Sequence, residues 1–270
     1  MMKTENLLTI LYEDSDLIVV HKPAGVESQP GKSFAPDMVS ILKKYFVSSG
    51  QMKVPYVGVV HRLDKPVEGL LVYAKTPKAN AALSKMTAEH RMEKHYCAVV
   101  RGNPGAGGKL VNYLITDRTG AGEQNLRNAL VFPEDRKGTP ELEELERRCG
   151  DKAKRAELEF WNVSSEEDRC YRPFLQRLKE LGYESGKEGC MVNPATGERA
   201  SLLRIRLKTG RYHQIRAQLS HAGYPILGDR RYNSEDAEES GFATPALCSA
   251  ELAFVHPVTG KKMSFSILKS

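Results

Sequence analysis

At 270 residues, with 40% hydrophobic and 27% charged residues, the chain has the composition of a globular protein that can bury a substantial core. Its length allows one large domain or two small ones, and it contains no apolar run long enough to span a membrane. The formal net charge of +6 favours a polyanionic partner, with a solubilising basic surface as the alternative.

Two short strands and a helix are predicted first. Residues 7–25, LLTILYEDSDLIVVHKPAG, place two apolar stretches around an acidic turn, and Pro23 and Gly25 end the second stretch. The acidic residues inside this region also exclude the uninterrupted apolar segment of a signal peptide. Residues 36–46, PDMVSILKKYF, carry apolar side chains near helical spacing, which predicts a helix.

A strand, a loop and a second strand are predicted for residues 57–76, VGVVHRLDKPVEGLLVYAKT. The period of two puts Leu70, Val72 and Ala74 on one face of the second strand. The loop between the strands holds an arginine and Asp64 close together between two apolar runs. Asp64, with its carboxylate in this loop, is a candidate functional residue.

A helix and another strand follow. Thr76 is the predicted N-cap of the helix and Pro77 its first residue, because both residue types are favoured at those positions. Residues 94–102, KHYCAVVRG, then predict a strand. Its period of two puts Lys94, Tyr96 and Ala98 on the same face.

The character of the chain changes between residues 133 and 200. Two charged segments with helical spacing flank a predicted strand at residues 156–165. We interpret about 133–157 and 164–200 as charged insertions on the core rather than as a separate domain. The prediction is therefore a single domain over residues 1–270.

A strand with a basic outer face is predicted for residues 202–208, because leucine and isoleucine alternate there with Arg204, Arg206 and Lys208. Strands with local connections and interspersed helices, without a regular βαβ repeat, favour the α+β class. We therefore predict a mixed, mainly antiparallel sheet with flanking helices.

A helix should begin after the turn that follows this strand and end at Gly223 as its left-handed cap. On this helix Ile215 and Leu219 lie in an apolar stripe, whereas His213 and Arg216 share another face. The helix is thus expected to pack by one side and to present a guanidinium group from another.

The cysteines and histidines do not predict a metal site. The five cysteines are Cys97, Cys149, Cys170, Cys190 and Cys248. They are scattered, odd in number and include no CxxC pair, which predicts reduced thiols in a cytoplasmic protein. No HExxH motif and no cluster with zinc spacing is present, so no metal is expected.

Five pieces of the sequence, in this order and spacing, resemble the RluA-type family of RNA pseudouridine synthases. The pieces are ILYEDSDLIVVHKPAG, HRLD followed by GLLVYAK, KHYCAVVRG, TGRYHQIRAQLSHAGYPILGD and ALCSAELAFVHPVTGKKMSF. The resemblance covers nearly the whole chain. It implies the pseudouridine synthase-like fold, with a catalytic cleft across the sheet, and isomerisation of uridine to pseudouridine in RNA without a cofactor.

The resemblance also implies the partners of the protein. The expected partner is RNA, either rRNA or tRNA, and the protein is expected to act as a monomer without a metal or a membrane. Several family members carry an N-terminal RNA-binding S4 module. The matching pattern begins by residue 7 here, so we expect the chain to lack that module and to bind RNA through its basic surface.

By resemblance, the catalytic residues are Asp64, Tyr96 and Arg216. An ionised carboxylate beside the ribose can attack C1′ or stabilise positive charge there, and both roles stay open for Asp64. A phenol near the nucleoside can stack on the base or act late in the reaction as an acid or base, which is the expected role of Tyr96. Arg216 is the predicted partner of Asp64, and neighbouring cations should keep the carboxylate ionised.

Four residues are predicted to contact the RNA: Arg62, His61, Arg211 and His213. Arg62 is expected to fill the gap that the flipped uridine leaves or to bind the adjoining phosphates. His61 is expected to act through hydrogen bonds rather than as an acid or base.

One departure from the family pattern bears on the function. Val67 and Glu68 stand where the family often has Thr and Ser, so a second carboxylate follows Asp64 by four residues. We expect Glu68 to pair with Lys65 or a nearby arginine, or to repel phosphate.

Two other hypotheses stay open: a catalytically silent RNA-binding protein on the same fold, and a glycosidase that uses Asp64 and Glu68 as a carboxylate pair.

Overall fold

The computed structural model describes residues 7–31, 35–51, 53–117, 128–163, 171–186, 189–233 and 240–268. The strands, in chain order, are β1 (Thr9–Glu13), β2 (Leu17–Lys22), β3 (Gly58–Val59), β4 (Glu68–Ala74), β5 (Glu93–Arg101), β6 (Gly107–Thr116), β7 (Ala129–Pro133), β8 (Lys154–Asn162), β9 (Glu184–Ser185), β10 (Met191–Val192), β11 (Arg199–Leu207), β12 (Leu247–Val255) and β13 (Lys262–Ser266). The α-helices are α1 (Met38–Ser48), α2 (Pro77–Ala88), α3 (Pro140–Cys149), α4 (Arg172–Glu180) and α5 (Gln214–His221).

The chain divides into two compact units. The first unit comprises Met1–Tyr96 and Leu247–Ser270, and the second comprises Cys97–Ala246. The boundary after Tyr96 falls inside β5, so this strand supplies residues to both units.

Paired strands form most of the first unit. β2 pairs antiparallel with β1 and β4, β3 pairs antiparallel with β4, and β13 pairs antiparallel with β12. β12 runs parallel to β4. The face predicted for β4 is confirmed, because Leu70, Val72 and Ala74 lie in one buried cluster with Leu17 and Val19 of β2.

Both helices of the first unit begin where their capping residues predict. The Asp37 carboxylate accepts a hydrogen bond from the Ser40 backbone N–H at 2.9 Å and starts α1. The Thr76 hydroxyl accepts one from the Ala79 N–H at 3.2 Å, and Pro77 is the first residue of α2, which confirms the prediction. Side-chain acceptors satisfy N–H groups that have no partner inside a helix.

The second unit has strands in the order β11, β8, β6 and β7, all antiparallel. The short strand β10 pairs with β11 and β9. β8 is therefore a central strand, and its residues Lys154–Glu157 belong to the sheet rather than to an insertion. The part of 133–157 that lies outside the sheet consists of α3 and a short 3-10 helix at Glu134–Arg136. Residues 164–170 and 187–188 of the second predicted insertion lie outside the described residues, as does Cys170.

The prediction for α5 was wrong in its details. The helix begins at Gln214, so His213 is the N-cap rather than a residue on a helix face, and it has a left-handed backbone with φ of 51°. All six residues from Gln214 to Leu219 are buried, so Arg216 does not lie on an exposed side of the helix. Ala217 packs with buried side chains of β6, β7 and β8. The end of the helix is as predicted, because Gly223 has φ of 85°.

The α+β fold class with a mainly antiparallel sheet is confirmed. Of the strand pairs given above, only β4 with β12 is parallel, and an isolated bridge between Glu27 and Asp37 is parallel as well. Among the described helices, none has the length and apolar character needed to cross a membrane.

Candidate active site

Asp64 lies in the loop between β3 and β4 of the first unit. The Val67 N–H donates a hydrogen bond to the Asp64 carbonyl oxygen at 3.0 Å, so residues 64–67 form a turn. The carboxylate-bearing residue is half-buried, whereas Arg62 two positions earlier is exposed. The turn therefore holds a carboxylate partly out of solvent directly before β4 begins.

Lys22, at the end of β2, is hydrogen-bonded to the backbone of this loop. Its side chain is fully buried, and its ammonium group donates hydrogen bonds to the carbonyl oxygens of Val26 at 2.7 Å, Pro23 at 3.0 Å and Lys65 at 3.2 Å. The Gly25 N–H donates to the same Lys65 carbonyl at 2.8 Å. An ammonium group has three N–H donors, and here each has a carbonyl acceptor. Lys22 thus joins the segment after β2 to the residue that follows Asp64.

Ser28, in the segment after β2, is hydrogen-bonded to Leu63, the residue directly before Asp64. The Ser28 hydroxyl donates to the Leu63 carbonyl at 2.8 Å and accepts from the Leu63 N–H at 3.0 Å. The Tyr73 hydroxyl in turn donates to the Ser28 carbonyl at 2.7 Å. The backbone on both sides of Asp64 is therefore fixed by buried hydrogen bonds, and such support holds a reacting group in position.

The charge of Lys22 is set by burial and by two carboxylates. Burial lowers the pKa of Lys22 to about 8, and the negative charges of Asp64 and Glu68 oppose that shift. Glu68 therefore lies within electrostatic range of the buried ammonium of Lys22. Its expected pairing with Lys65 or an arginine stays a prediction. The Nζ of Lys65 lies 4.0 Å from the carboxylate of Glu27.

Replacing Lys22 with Met should loosen this loop. The change keeps the length of the side chain but removes the donor to three carbonyl groups, and leaving a buried acceptor without a partner costs about 1–3 kcal/mol. We expect a lower free energy of unfolding by urea and reduced turnover on RNA. Lys43→Met at an exposed position of α1 is the matched control. A Lys22→Met protein that unfolds at the wild-type urea concentration would contradict the role of this residue.

Tyr96 lies within range of the electrostatic field of the Asp64 carboxylate. It is buried in β5, and burial raises the pKa of its phenol well above the usual value. A side-chain hydrogen bond with Ser249 of β12 opposes this shift, and the negative charge of Asp64 adds to it. The phenol is therefore protonated at neutral pH, and it can act as a base only after it has given up its proton.

Gly69 allows β12 to approach β4 at this point. Ser249 pairs directly with Gly69, whose φ is 124°. A Cβ atom at Gly69 would lie 2.4 Å from the backbone nitrogen of Ser249, so no larger residue fits. The glycine thus brings Ser249, the hydrogen-bond partner of Tyr96, next to the start of β4.

His61 is a buried structural residue of the same loop. Its Nε2 accepts a hydrogen bond from the Val72 N–H at 3.4 Å. Burial lowers the pKa of His61 well below its usual value, and the positive charge of Lys94 lowers it further. The imidazole is therefore neutral, in agreement with a hydrogen-bonding role.

Arg216 has a buried carboxylate partner that the sequence did not indicate. In the second unit, its Nε and Nη2 donate to the two oxygens of Asp229, each at 2.7 Å. Both side chains are almost completely buried. Asp229 also accepts hydrogen bonds from the N–H groups of Arg231 at 3.1 Å and Tyr232 at 3.4 Å. The predicted pairing of Arg216 with Asp64 stays a prediction.

His213 is held beside Arg216 by Tyr232. The Tyr232 hydroxyl accepts from the Ala129 N–H at 2.9 Å and lies 3.0 Å from Nδ1 of His213, to which it can donate. Burial lowers the pKa of His213 to about 2, and the charges of Arg216 and Arg231 contribute. The imidazole is therefore neutral and mostly buried, which leaves it little surface for contact with RNA.

Arg211 is half-buried, and its Nε donates to the Arg155 carbonyl at 3.0 Å. Tyr212 is 40% exposed and stacks on His213 with the ring centroids 3.7 Å apart. Tyr212 is therefore the exposed aromatic residue among residues 211–213, although the sequence analysis did not select it.

One group of possible metal ligands is present among the described residues. Oxygen and nitrogen atoms of Asp14, Asp16 and His256 lie within 4.8 Å of one another. The Asp14 carboxylate is used by the Leu17 N–H at 2.9 Å and by His256 Nε2 at 2.8 Å. Nδ1 of His256 accepts from the Thr259 N–H at 3.0 Å. These hydrogen bonds account for the arrangement, and we assign no metal to it.

The structure brings Asp64 and Tyr96 together, and it adds residues that the sequence analysis missed. The missed residues are Lys22, Ser28, Ser249 and Asp229. None of these four residues has a local signal in the sequence, because lysine, serine and aspartate are mostly exposed residue types.

Comparison with protein families finds a match to RNA pseudouridylate synthase over residues 16–221. The chain is 31% identical to "Ribosomal large subunit pseudouridine synthase D" of Zymomonas mobilis over 96% of its length and 68% of that protein. It is 28% identical to "Uncharacterized RNA pseudouridine synthase" of Aquifex aeolicus over 98% of its length and 71% of that protein. The chain thus spans about two thirds of the length of such relatives.

Solved structures share the fold. "Human RNA Pseudouridylate Synthase Domain Containing 1" has a TM-score of 0.67 at 18% identity, over 98% of this chain and 84% of that one. "Human RNA Pseudouridylate Synthase Domain Containing 4" has a TM-score of 0.61 at 16% identity, over 95% of this chain and 87% of that one. At these identities the likeness concerns the fold alone.

Proposed function

This chain belongs to the RNA pseudouridylate synthase family, and we propose that it isomerises uridine to pseudouridine in large-subunit ribosomal RNA. The observation that carries the proposal is the buried Tyr96 within electrostatic reach of Asp64, inside the segment that the family model matches. The ribosomal substrate is taken from the name of the Zymomonas relative. We expect no cofactor, as the family resemblance implies, and the conversion of uridine to its isomer involves no net oxidation or reduction.

In the reaction, the bond between uracil N1 and ribose C1′ breaks and a bond between C5 and C1′ forms. C5 then loses its proton and N1 gains one, so the composition does not change. Asp64 attacks C1′ or stabilises its positive charge, and the half-buried turn keeps the carboxylate partly desolvated for either role. The buried ammonium of Lys22 lies within electrostatic range of this carboxylate.

Tyr96 supplies a neutral phenol to the detached base. Its raised pKa favours a protonated donor that can hold the uracil or stack on it while the base turns. Arg216 acts as the cationic group of the mechanism, and Asp229 fixes its orientation through the bidentate contact. Arg62 and Arg211 contact the RNA, whereas His61 and His213 support these contacts from buried positions.

The organisation of the protein follows from the same family match. The match over residues 16–221 includes sequence from both compact units, which supports a single catalytic domain. We expect this domain to act as a metal-free monomer in the cytoplasm, where ribosomal RNA is available in bacteria.

The test is pseudouridine formation by the pure protein on large-subunit rRNA transcripts, mapped by chemical labelling and primer extension. We expect pseudouridine at one or a few uridines and no change elsewhere. Release of free uracil with an abasic product would instead favour the glycosidase that pairs Asp64 with Glu68. Binding without any modified uridine on rRNA or tRNA would favour a silent RNA-binding protein.

Arg62→Ala should affect structured RNA more than flexible RNA. The exposed guanidinium is proposed to help extrude the uridine, and unstacking a base costs a few kcal/mol only where the base is stacked. Turnover should therefore fall about tenfold or more on a hairpin and less on an unstructured RNA of the same local sequence. Arg91→Ala, at another exposed arginine of the first unit, is the control. Equal losses on both RNAs would remove the flipping role.

A further inference from the structure

Trp161 is an exposed aromatic residue on the sheet of the second unit. It is the only tryptophan in the chain, and 43% of it is accessible to solvent. It lies near the end of β8, where the neighbouring residue Phe160 points inward and is buried. An exposed tryptophan presents a large, rigid aromatic surface on which a partner can stack.

Trp161 has an arginine as its partner on one neighbouring strand and a glycine on the other. On one side it pairs directly with Arg204 of β11. On the other side it pairs with Gly107 of β6, which has no side chain. A Cβ atom at Gly107 would lie 3.5 Å from Cδ1 of the indole and 2.7 Å from the carbonyl oxygen of Phe160. The glycine therefore leaves this flank of the indole open.

The same face of the sheet is basic. Directly paired residues point to the same side of a sheet, so Arg204, Arg206, Lys109 and Arg155 share the face of Trp161. The acidic residues of this face are neutralised within it. Glu159 is 3.2 Å from Lys208, and Glu157 is 2.8 Å from Lys109 and 2.6 Å from Arg155. The face thus carries a net positive charge around one exposed aromatic ring.

We infer that this face binds a single-stranded segment of the substrate RNA, with an unpaired base stacked on Trp161 and its phosphates beside Arg204 and Arg206. The inference rests on the proposed function, because it names a further contact with the same RNA. An aromatic ring stacks on any base, and the surrounding cations attract the backbone, which is the combination that single-stranded RNA requires. A protein partner would not require the excess of cations around the ring.

The sole tryptophan makes the contact directly observable. Emission excited at a wavelength that tyrosine does not absorb reports Trp161 alone, and a stacked base quenches it. We expect saturating single-stranded oligouridylate to quench the emission and to protect the indole from acrylamide, and a duplex of the same length to do so less. Unchanged emission at RNA concentrations where filter binding shows a complex would overturn the inference.

Variants measure the contribution of the ring. Trp161→Ala should weaken binding of the rRNA transcript by about 5- to 150-fold, the range that corresponds to one stacked base. KM should rise while kcat at saturating RNA stays the same, since a contact with a base that does not react holds substrate and transition state equally. Trp161→Phe should recover part of the affinity. Val47→Ala, at an exposed apolar residue of α1 in the first unit, should leave KM unchanged.

The salt dependence separates stacking from charge. Trp161→Ala should keep the wild-type slope of log K against log salt, whereas Arg204→Gln with Arg206→Gln should make the slope shallower. Wild-type KM in Trp161→Ala, with pseudouridine still formed, would overturn the inference and leave the proposed function intact. If the wild-type protein forms no pseudouridine, the proposed function fails, and the fluorescence titration still decides whether Trp161 binds single-stranded RNA.

Discussion

Asp64→Asn is expected to abolish pseudouridine formation while RNA binding persists. Asparagine keeps the shape of the side chain but cannot attack C1′ or stabilise positive charge there. Neutralising a charged catalytic group of this kind has reduced turnover by about 10⁴-fold in a serine protease. The measurement is single-turnover pseudouridine formation together with filter binding. The loop should stay folded, because its hydrogen bonds run through backbone atoms, Lys22 and Ser28.

Glu68→Gln is the companion variant for this experiment. Glu68 interacts with the same buried ammonium of Lys22, so the two substitutions change the charge near Lys22 equally. Glu68→Gln should retain most of the turnover if Asp64 alone carries the chemistry. Measurable turnover in a pure Asp64→Asn preparation would remove Asp64 from the mechanism. Equal and complete losses in both variants would point to a carboxylate pair.

Asp229→Asn should produce the largest loss of stability. The change leaves the buried guanidinium of Arg216 without its bidentate carboxylate, and breaking a buried ion pair on one side costs about 3–5 kcal/mol. Turnover should fall as well, because Arg216 loses the contact that fixes its orientation. The measurements are urea unfolding and kcat at a temperature where the variant is folded. Asp135→Asn, at an exposed position, is the control.

A double-mutant cycle tests whether the stability effect belongs to the pair. Arg216→Met should cost about as much as Asp229→Asn, and the double variant should cost clearly less than the two single changes together, because residues in direct contact do not add. Asp229→Glu restores the charge and should recover part of the turnover. If Asp229→Asn unfolds like the wild type, the pair contributes little to the fold.

The local elements could be predicted from the sequence. Thr76 and Pro77 start α2 as expected, and the alternation in β4 puts Leu70 and Val72 in the core as expected. Capping and hydrophobic periodicity involve residues within a few positions of each other, so they can be recognised without knowledge of the fold.

The course of α5 could not be predicted in the same way. The helix periodicity predicts an apolar stripe and a polar face, but the structure buries Gln214, Arg216 and Gln218 together with their apolar neighbours. Whether a polar helix face meets water or another part of the protein depends on elements far away in the chain. Buried polar groups need partners, and Asp229 provides one for Arg216 from 13 residues further on.

By itself, the sequence determined the fold class, the family resemblance and Asp64 and Tyr96 as candidates, because these depend on residue order and on the short periods of strands and helices. Only the tertiary structure decided that Lys22 is hydrogen-bonded to the loop of Asp64 and that the Glu68 carboxylate also acts on the Lys22 ammonium. Only it placed Trp161 between Arg204 and Gly107. Lys22 and Lys65 are 43 positions apart, and Trp161 and Arg204 are brought together by strand register. Such contacts form when segments that are distant in the chain pack together. A polar group that is buried loses its hydrogen bonds to water, so it needs a hydrogen-bond partner within the protein.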